Sequence, residues 1–216
     1  MYNYHIQKLN QRSMIVVNNK KELKALIYQR IKEQGPKCNL NDIDVSYITD
    51  MSYLFNGFEG SFNGDISEWN VSNVKSMNSM FEGSVFNGDI SRWNVSNVRD
   101  MSYMFSYSKF NGDISAWNVS RVVNMRCMFS NSEFNKDISK WDVSRVKDMT
   151  SMFYHSVFNG DISSWDVSQV IDMPLMFTNS QFSGDLSKWD VSMVDSMLCM
   201  FVESPLEDKE PSWYKD

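Results

Sequence analysis

Phenylalanine returns every 24 residues, at Phe62, Phe86, Phe110, Phe134, Phe158 and Phe182. Tryptophan keeps the same interval at Trp69, Trp93, Trp117, Trp141, Trp165, Trp189 and Trp213. The unit reads F-N-G-D-I-S-x-W-[ND]-V-S-x-V-x-[SND]-M-x-x-M-F-x-x-S-x, and six units follow one another without a gap. Before them, Leu40–Phe55 fits the pattern at an offset of 26, and after them Leu206 and Trp213 take the Phe and Trp places of a unit that stops partway. A unit this short cannot bury its apolar face alone, so a chain of such units buries it by stacking neighbours into one continuous core.

The expected class is therefore α/β, an open repeat solenoid with one short strand and one short helix per coil. Met77, Met80 and Phe81, with their counterparts, stand at i, i+3 and i+4, the spacing of one helix face. The residue before the first Met is Asp50, Ser76, Asp100, Asn124, Asp148, Asp172 or Ser196, all good N-cap types. Pro174 then falls in a first turn, where a missing N–H costs little. These signals predict a helix of roughly two turns, ending near the repeated Ser84 position. The strand is either Asp65-Ile66-Ser67 or Trp69-Asn70-Val71, since both alternate apolar and polar. Gly64 and its equivalents make the preceding turn. Lys136 takes that place once, so the turn does not demand positive φ.

The N-terminal segment lacks the repeat. Met14–Val17 reads as a strand, and Lys20–Gln34 as an amphipathic helix with Leu23, Leu26, Ile27 and Ile31 on one face, ended by Gly35-Pro36. An array exposes its first apolar layer unless something covers it. The expected division is a capping segment at 1–37, a solenoid of about seven coils at 38–204, and a truncated coil with a C-terminal cap at 205–216. Neither an apolar leader nor a membrane span is visible, so the expectation is a cytoplasmic chain, or a cell-surface one if a leader is missing.

The repeat resembles that of the BspA-like bacterial surface proteins, a divergent relative of the leucine-rich repeat, over about Leu40–Trp213. The segment KKELKALIYQRIKEQG, followed by LNDIDVSYITDMSYLF, is also similar to how such proteins begin. The resemblance implies an LRR-like open solenoid, no catalysis, and roles in adhesion or protein binding.

Residue chemistry points the same way. The net charge of −6 offers no basic footprint for nucleic acid or anionic lipid. Three separated cysteines (Cys38, Cys127, Cys199) form neither a C-x-x-C pair nor a disulfide framework. His5 and His155 have no second histidine nearby for zinc or nucleophilic chemistry. Two acidic columns, Asp65, Asp89, Asp113, Asp137, Asp161, Asp185 and Asn70, Asn94, Asn118, Asp142, Asp166, Asp190, suggest calcium. They are read instead as side chains that accept turn N–H groups. No enzyme activity, cofactor or metal is expected.

Positions constant between coils build the stack, so recognition falls to those that vary. Aromatic residues fill early variable slots (Tyr53, Phe58, Tyr103, Tyr107), and apolar ones fill late slots (Tyr154, Ile171, Leu175, Met193, Leu198, Val202). The late group either meets a partner or packs under the C-terminal tail. Tyr53, Tyr103, Tyr107, Tyr154, Leu175 and Leu198 are the candidate partner-binding residues, since rigid aromatics favour interfaces. The expected function is a monomeric protein–protein interaction scaffold. The alternatives are an acidic immunity-type inhibitor of a toxin or nucleic-acid enzyme and, if the chain is exported, an adhesin.

Overall fold

The computed structural model describes residues 14–56 and 61–215. His5, Phe58 and the first part of the N-terminal segment lie outside the described residues. Strand β1 (Ile15–Val16) pairs in parallel with β2 (Ile43–Asp44), with Ile15 opposite Ile43. Between them runs α1 (Lys20–Gln34), the helix expected from the sequence. Asn19 caps it by accepting the Glu22 N–H, and Gly35 ends it at φ 84° by donating to the Ile31 carbonyl. Leu23 and Ile27 are fully buried in the common core, with Leu26 and Ile31 packed at its margin.

The repeats are arranged in register. Asp50, Ser76, Asp100, Asn124, Asp148, Asp172 and Ser196 form a column of single-residue parallel bridges, each to its equivalent in the next repeat. Behind that column lie three stacks of rings. Phe62 through Phe182 lie 5.9–6.3 Å apart. Phe55, Phe81, Phe105, Phe129, Phe153, Phe177 and Phe201 lie 5.2–6.0 Å apart. Each Trp donates its indole N–H to a carbonyl of the repeat before it, as Trp93 does to Ile66 at 3.1 Å. Trp213 and Leu206 continue the columns from the tail: the Trp213 indole bonds the Leu186 carbonyl and stacks 6.4 Å from Trp189.

Within the repeats, the expected strand and the expected helix are both corrected. Among the described residues α1 is the one α-helix, and neither Asp65–Ser67 nor Trp69–Val71 forms a strand. Each repeat is instead a string of four-residue turns closed by bonds such as Trp69 N–H to Ile66 O, Val74 to Val71, Met80 to Met77 and Ser84 to Phe81. The third position of the Met77–Met80 turn is left-handed in every repeat: Tyr53, Ser79, Tyr103, Cys127, Ser151, Leu175 and Cys199 have φ of 52–60°. A second left-handed column follows at Gly83, Tyr107, Asn131, His155, Asn179 and Glu203. A left-handed residue breaks the helix, yet Met77, Met80 and Phe81 still point inward and are fully buried. The i, i+3, i+4 pattern is therefore shared by a helix and by this turn.

The polar residues of the repeat close the corners. Oδ1 of Asp65, Asp89, Asp113, Asp137, Asp161 and Asp185 accepts the N–H of the serine two residues on, at 2.8–3.0 Å. Asn70 and Asp190 do the same for Ser72 and Ser192, and Asp100 for Ser102. Of the residues read as N-caps, Asp50, Ser76, Asp100, Asn124 and Asp148 accept the N–H two residues on, but at the start of a turn. Asn63, Asn87, Asn111, Asn135 and Asn159 each accept an N–H from the next repeat, at 2.9–3.0 Å. Where glycine follows this Asn the preceding ring lies close, a Cβ on Gly88 coming 2.8 Å from Phe86, although Lys136 occupies the same place in one repeat.

The bond from the following serine N–H holds each of these six aspartates (Asp65 to Asp185) below its ordinary value of 3.8. A depressed folded-state pKa gives stability that is complete above the unfolded value and lost as pH falls through the folded one. The melting temperature should stay level from neutral pH to about pH 5 and fall below about pH 4. Thermal unfolding followed by circular dichroism across that range checks this, and a level curve down to pH 2 would refute it.

Among the described residues no helix is long and apolar enough to cross a membrane, and no group of His, Cys, Asp or Glu comes together that could hold a metal ion.

Candidate partner-binding groove

The first left-handed column leads side chains out of the core onto one face, and their sizes shape that face. Tyr103 and Leu175 are large, whereas Cys127 and Ser151 between them are small. Beside them run Ser106, Ser130, Tyr154 and Thr178, then Tyr107 and Asn131 of the second left-handed column. Small residues in the middle repeats and large ones around them leave a groove of about 380 Å³, lined by these residues and Glu82. Its walls are Tyr103, Tyr107, Tyr154 and Leu175, and its floor is mainly Cys127, Ser130 and Ser151. The floor rests on Met128, Phe129, Met152 and Phe153, all fully buried.

One wall is braced from the side. Arg126 Nε donates to the Tyr103 hydroxyl at 3.0 Å, and the same guanidinium lies 4.0 Å from Asp148. The Tyr103 bond in turn raises the Arg126 pKa. Burial pushes the Cys127 thiol up, which keeps it protonated and poorly nucleophilic at neutral pH. The groove therefore offers aromatic and aliphatic walls, hydroxyls and one peripheral carboxylate, a set suited to binding apolar groups with a few directional hydrogen bonds.

Of the six candidate residues, Tyr103, Tyr107, Tyr154 and Leu175 meet in this groove. Tyr53 and Leu198, exposed by 51% and 65%, stand toward the two ends of the array and do not line it. The C-terminal tail does not bury the late apolar group: Met193, Leu198 and Val202 remain exposed, while Leu206, Trp213 and Tyr214 pack on the ring columns. Sequence reasoning passed over Cys127, Ser130 and Ser151. For Cys127 and Ser151 the signal was available as two small residues in succession between Tyr103 and Leu175 in one slot, since a gap in a column makes a cavity.

Fold and groove together define a repeat protein with a regularly spaced aromatic core. The chain belongs to the family described as Mycoplasma protein of unknown function, DUF285, which it matches over residues 22–133 and 130–213. No curated protein and no solved structure matches it.

Proposed function

We propose that this chain is a non-catalytic protein-recognition scaffold, an open solenoid that seats an apolar segment of a partner protein in the groove between Tyr103 and Leu175. In this reading residues 1–37 cap the first coil, 38–204 form the coils, and 205–216 close the last one. The supporting observation is the convergence of Tyr103, Tyr107, Tyr154 and Leu175 on a floor of small side chains backed by a fully buried core. Large rigid aromatics around a recess are what interface anchors need. The likeness of the repeat to BspA-like surface proteins supports a binding role, and export would make that role adhesive. The acidic-inhibitor reading has less support, because one oxygen of each aspartate in the Asp65–Asp185 column is already engaged by its own turn.

Tyr107 offers a clean test because its side chain is 64% exposed while its backbone sits at φ 54°. A left-handed conformation costs a non-glycine residue about 1–2 kcal/mol. Tyr107→Gly is expected to leave stability unchanged or raise it by about 0.5–1 kcal/mol after the greater freedom of the unfolded glycine is counted. The same change should weaken partner binding tenfold or more, the size of a lost hot spot at about 1.4 kcal/mol or above. Crosslinking in the native host with wild type and variant in parallel, alongside denaturant melts, reads both effects. A partner retained equally by Tyr107→Gly and by Tyr103→Ala would show that this face is not the one used.

A further inference from the structure

One bonded run in each repeat carries the groove floor and both of its banks. In the repeat of Ser151 the N–H groups of Lys147, Met149, Ser151, Phe153 and His155 all bond neighbouring repeats, at 2.8–3.0 Å. Residues upstream of the floor therefore form one bank, and residues downstream form the other. Arg145 and Lys147 stand upstream, on either side of the buried Val146, so both lean outward. The repeat of Cys127 and Ser130 carries Arg121 and Arg126 in the matching stretch, and the two repeats before it carry Arg99 and Lys75. Backbone bonds set this bank in register: the Arg99 N–H reaches the Lys75 carbonyl, Val123 that of Arg99, and Lys147 that of Val123, at 2.8–2.9 Å.

The two banks differ in charge. Over the upstream stretches 73–78, 97–102, 121–126 and 145–150, six cations stand against two carboxylates, in a chain whose net charge is −6. Those carboxylates, Asp100 and Asp148, each already accept a turn N–H. Among the described residues Lys75, Arg99, Arg121, Arg145 and Lys147 form no salt bridge. Arg121 and Lys147 bond the amide oxygens of Asn97 and Gln169, and Arg145 lies in the field of Asp142 without pairing to it. Arg126 gives Nε to Tyr103 and stands 4.0 Å from Asp148, which leaves a guanidinium with donors to spare at the groove rim. On the downstream bank Lys109 and Glu133 pair with each other, and Asn131, Val157 and Gln181 stand beside them. The groove is thus basic along one side and balanced along the other.

We propose that the segment seated in the groove is acidic. An aromatic or aliphatic anchor lies between Tyr103 and Leu175, and two or more carboxylates within about three positions of it, roughly 10 Å of extended chain, lie against the basic bank. The reading rests on the groove being the binding face and adds the charge of what enters it. Arg126 can take a carboxylate at the rim with two parallel N–H groups, while the other cations act at longer range. Exposed pairs are weak one by one, so the bank selects among partners more than it holds them. A nucleic-acid backbone fits less well. Its phosphates would meet Asp100 and Asp148, Val123 and Ile171 interrupt the row of cations, and the acidic remainder of the chain repels a polyanion.

The test selects a displayed library of random short peptides on the full chain, then measures each enriched clone on Tyr107→Gly and on the double variant Arg145→Glu/Lys147→Glu. Both cations lie at the surface and outside the groove lining, so denaturant melts of the double variant should match those of the wild type. Clones that need Tyr107 should carry a clear excess of Asp and Glu over the starting library. The double variant should bind them about tenfold or more weakly. Raising salt from about 0.05 M to about 0.5 M should weaken them about fivefold or more on the wild type, as screening sets in. Tyr107-dependent clones without the acidic excess, or bound equally well by the double variant, would overturn the acidic partner and leave the groove standing. No enrichment, or clones indifferent to Tyr107, would remove the groove and this inference with it. A single-stranded oligonucleotide that displaces the peptides, is lost in the double variant and ignores Tyr107→Gly would mark the bank as a nucleic-acid surface, and that too would overturn the proposal.

Discussion

Phe129→Ala is expected to cost about 3–5 kcal/mol, a third or more of the stability of an ordinary domain. The ring is fully buried in the middle of its column. It lies 5.9 Å from Phe105, 5.8 Å from Phe153, 4.2 Å from Phe134 and 6.3 Å from Trp141. Removing it opens a void that neighbours cannot fill, because each is held in register by backbone bonds to the repeats on both sides. Phe201→Ala is the comparison: that ring ends the column, with Phe177 on one side and the edges of Trp213 and Tyr214 on the other. A loss of about half the central one is expected there, since the tail can settle into the space. Denaturant unfolding of both variants measures the difference. Equal small losses would mean that the columns are not a shared core.

How much of this was legible in the sequence depends on which atoms set each feature. The repeat, the inward Phe, Trp, Ile and Met positions and helix α1 follow from side-chain burial, and burial leaves a periodic trace. The turns did not follow, because Met77, Met80 and Phe81 point inward from a helix or from a turn with Ser79 left-handed. The deciding signal was the slot holding Tyr53, Ser79, Tyr103, Cys127, Ser151, Leu175 and Cys199, which never holds Val, Ile or Thr. β-Branched residues strongly disfavour positive φ. Four of the six candidate residues meet in the groove because residues that differ between repeats face outward. The floor was missed because Cys127 and Ser151 matter by being small.

Excising one whole repeat should be far milder than excising half of one. Deleting residues 109–132 joins Ser108 to Glu133, and the Glu133 N–H already bonds the Ser108 carbonyl at 3.2 Å, so the two ends meet with little strain. Phe105 then stands next to the Phe153 repeat, and every column closes with one ring fewer. The product should unfold cooperatively with a denaturant m-value reduced by about one-ninth, in proportion to the surface lost. Deleting residues 109–120 instead removes Phe110 and Trp117 but leaves Met125, Met128 and Phe129 behind. The following repeats are then half a turn out of phase, and apolar side chains meet the polar corners of their neighbours. That loss exceeds the total stability of the chain, and the near-ultraviolet circular dichroism of the packed tryptophans should vanish. The whole-repeat deletion also removes Cys127 and Ser130 from the groove floor, so it should abolish partner binding in a folded chain. Deleting residues 181–204, which contribute nothing to the groove lining, should spare binding. Folding lost in the whole-repeat deletion but kept in the half-repeat one would refute the stacked arrangement, and binding kept after loss of residues 109–132 would refute the groove alone.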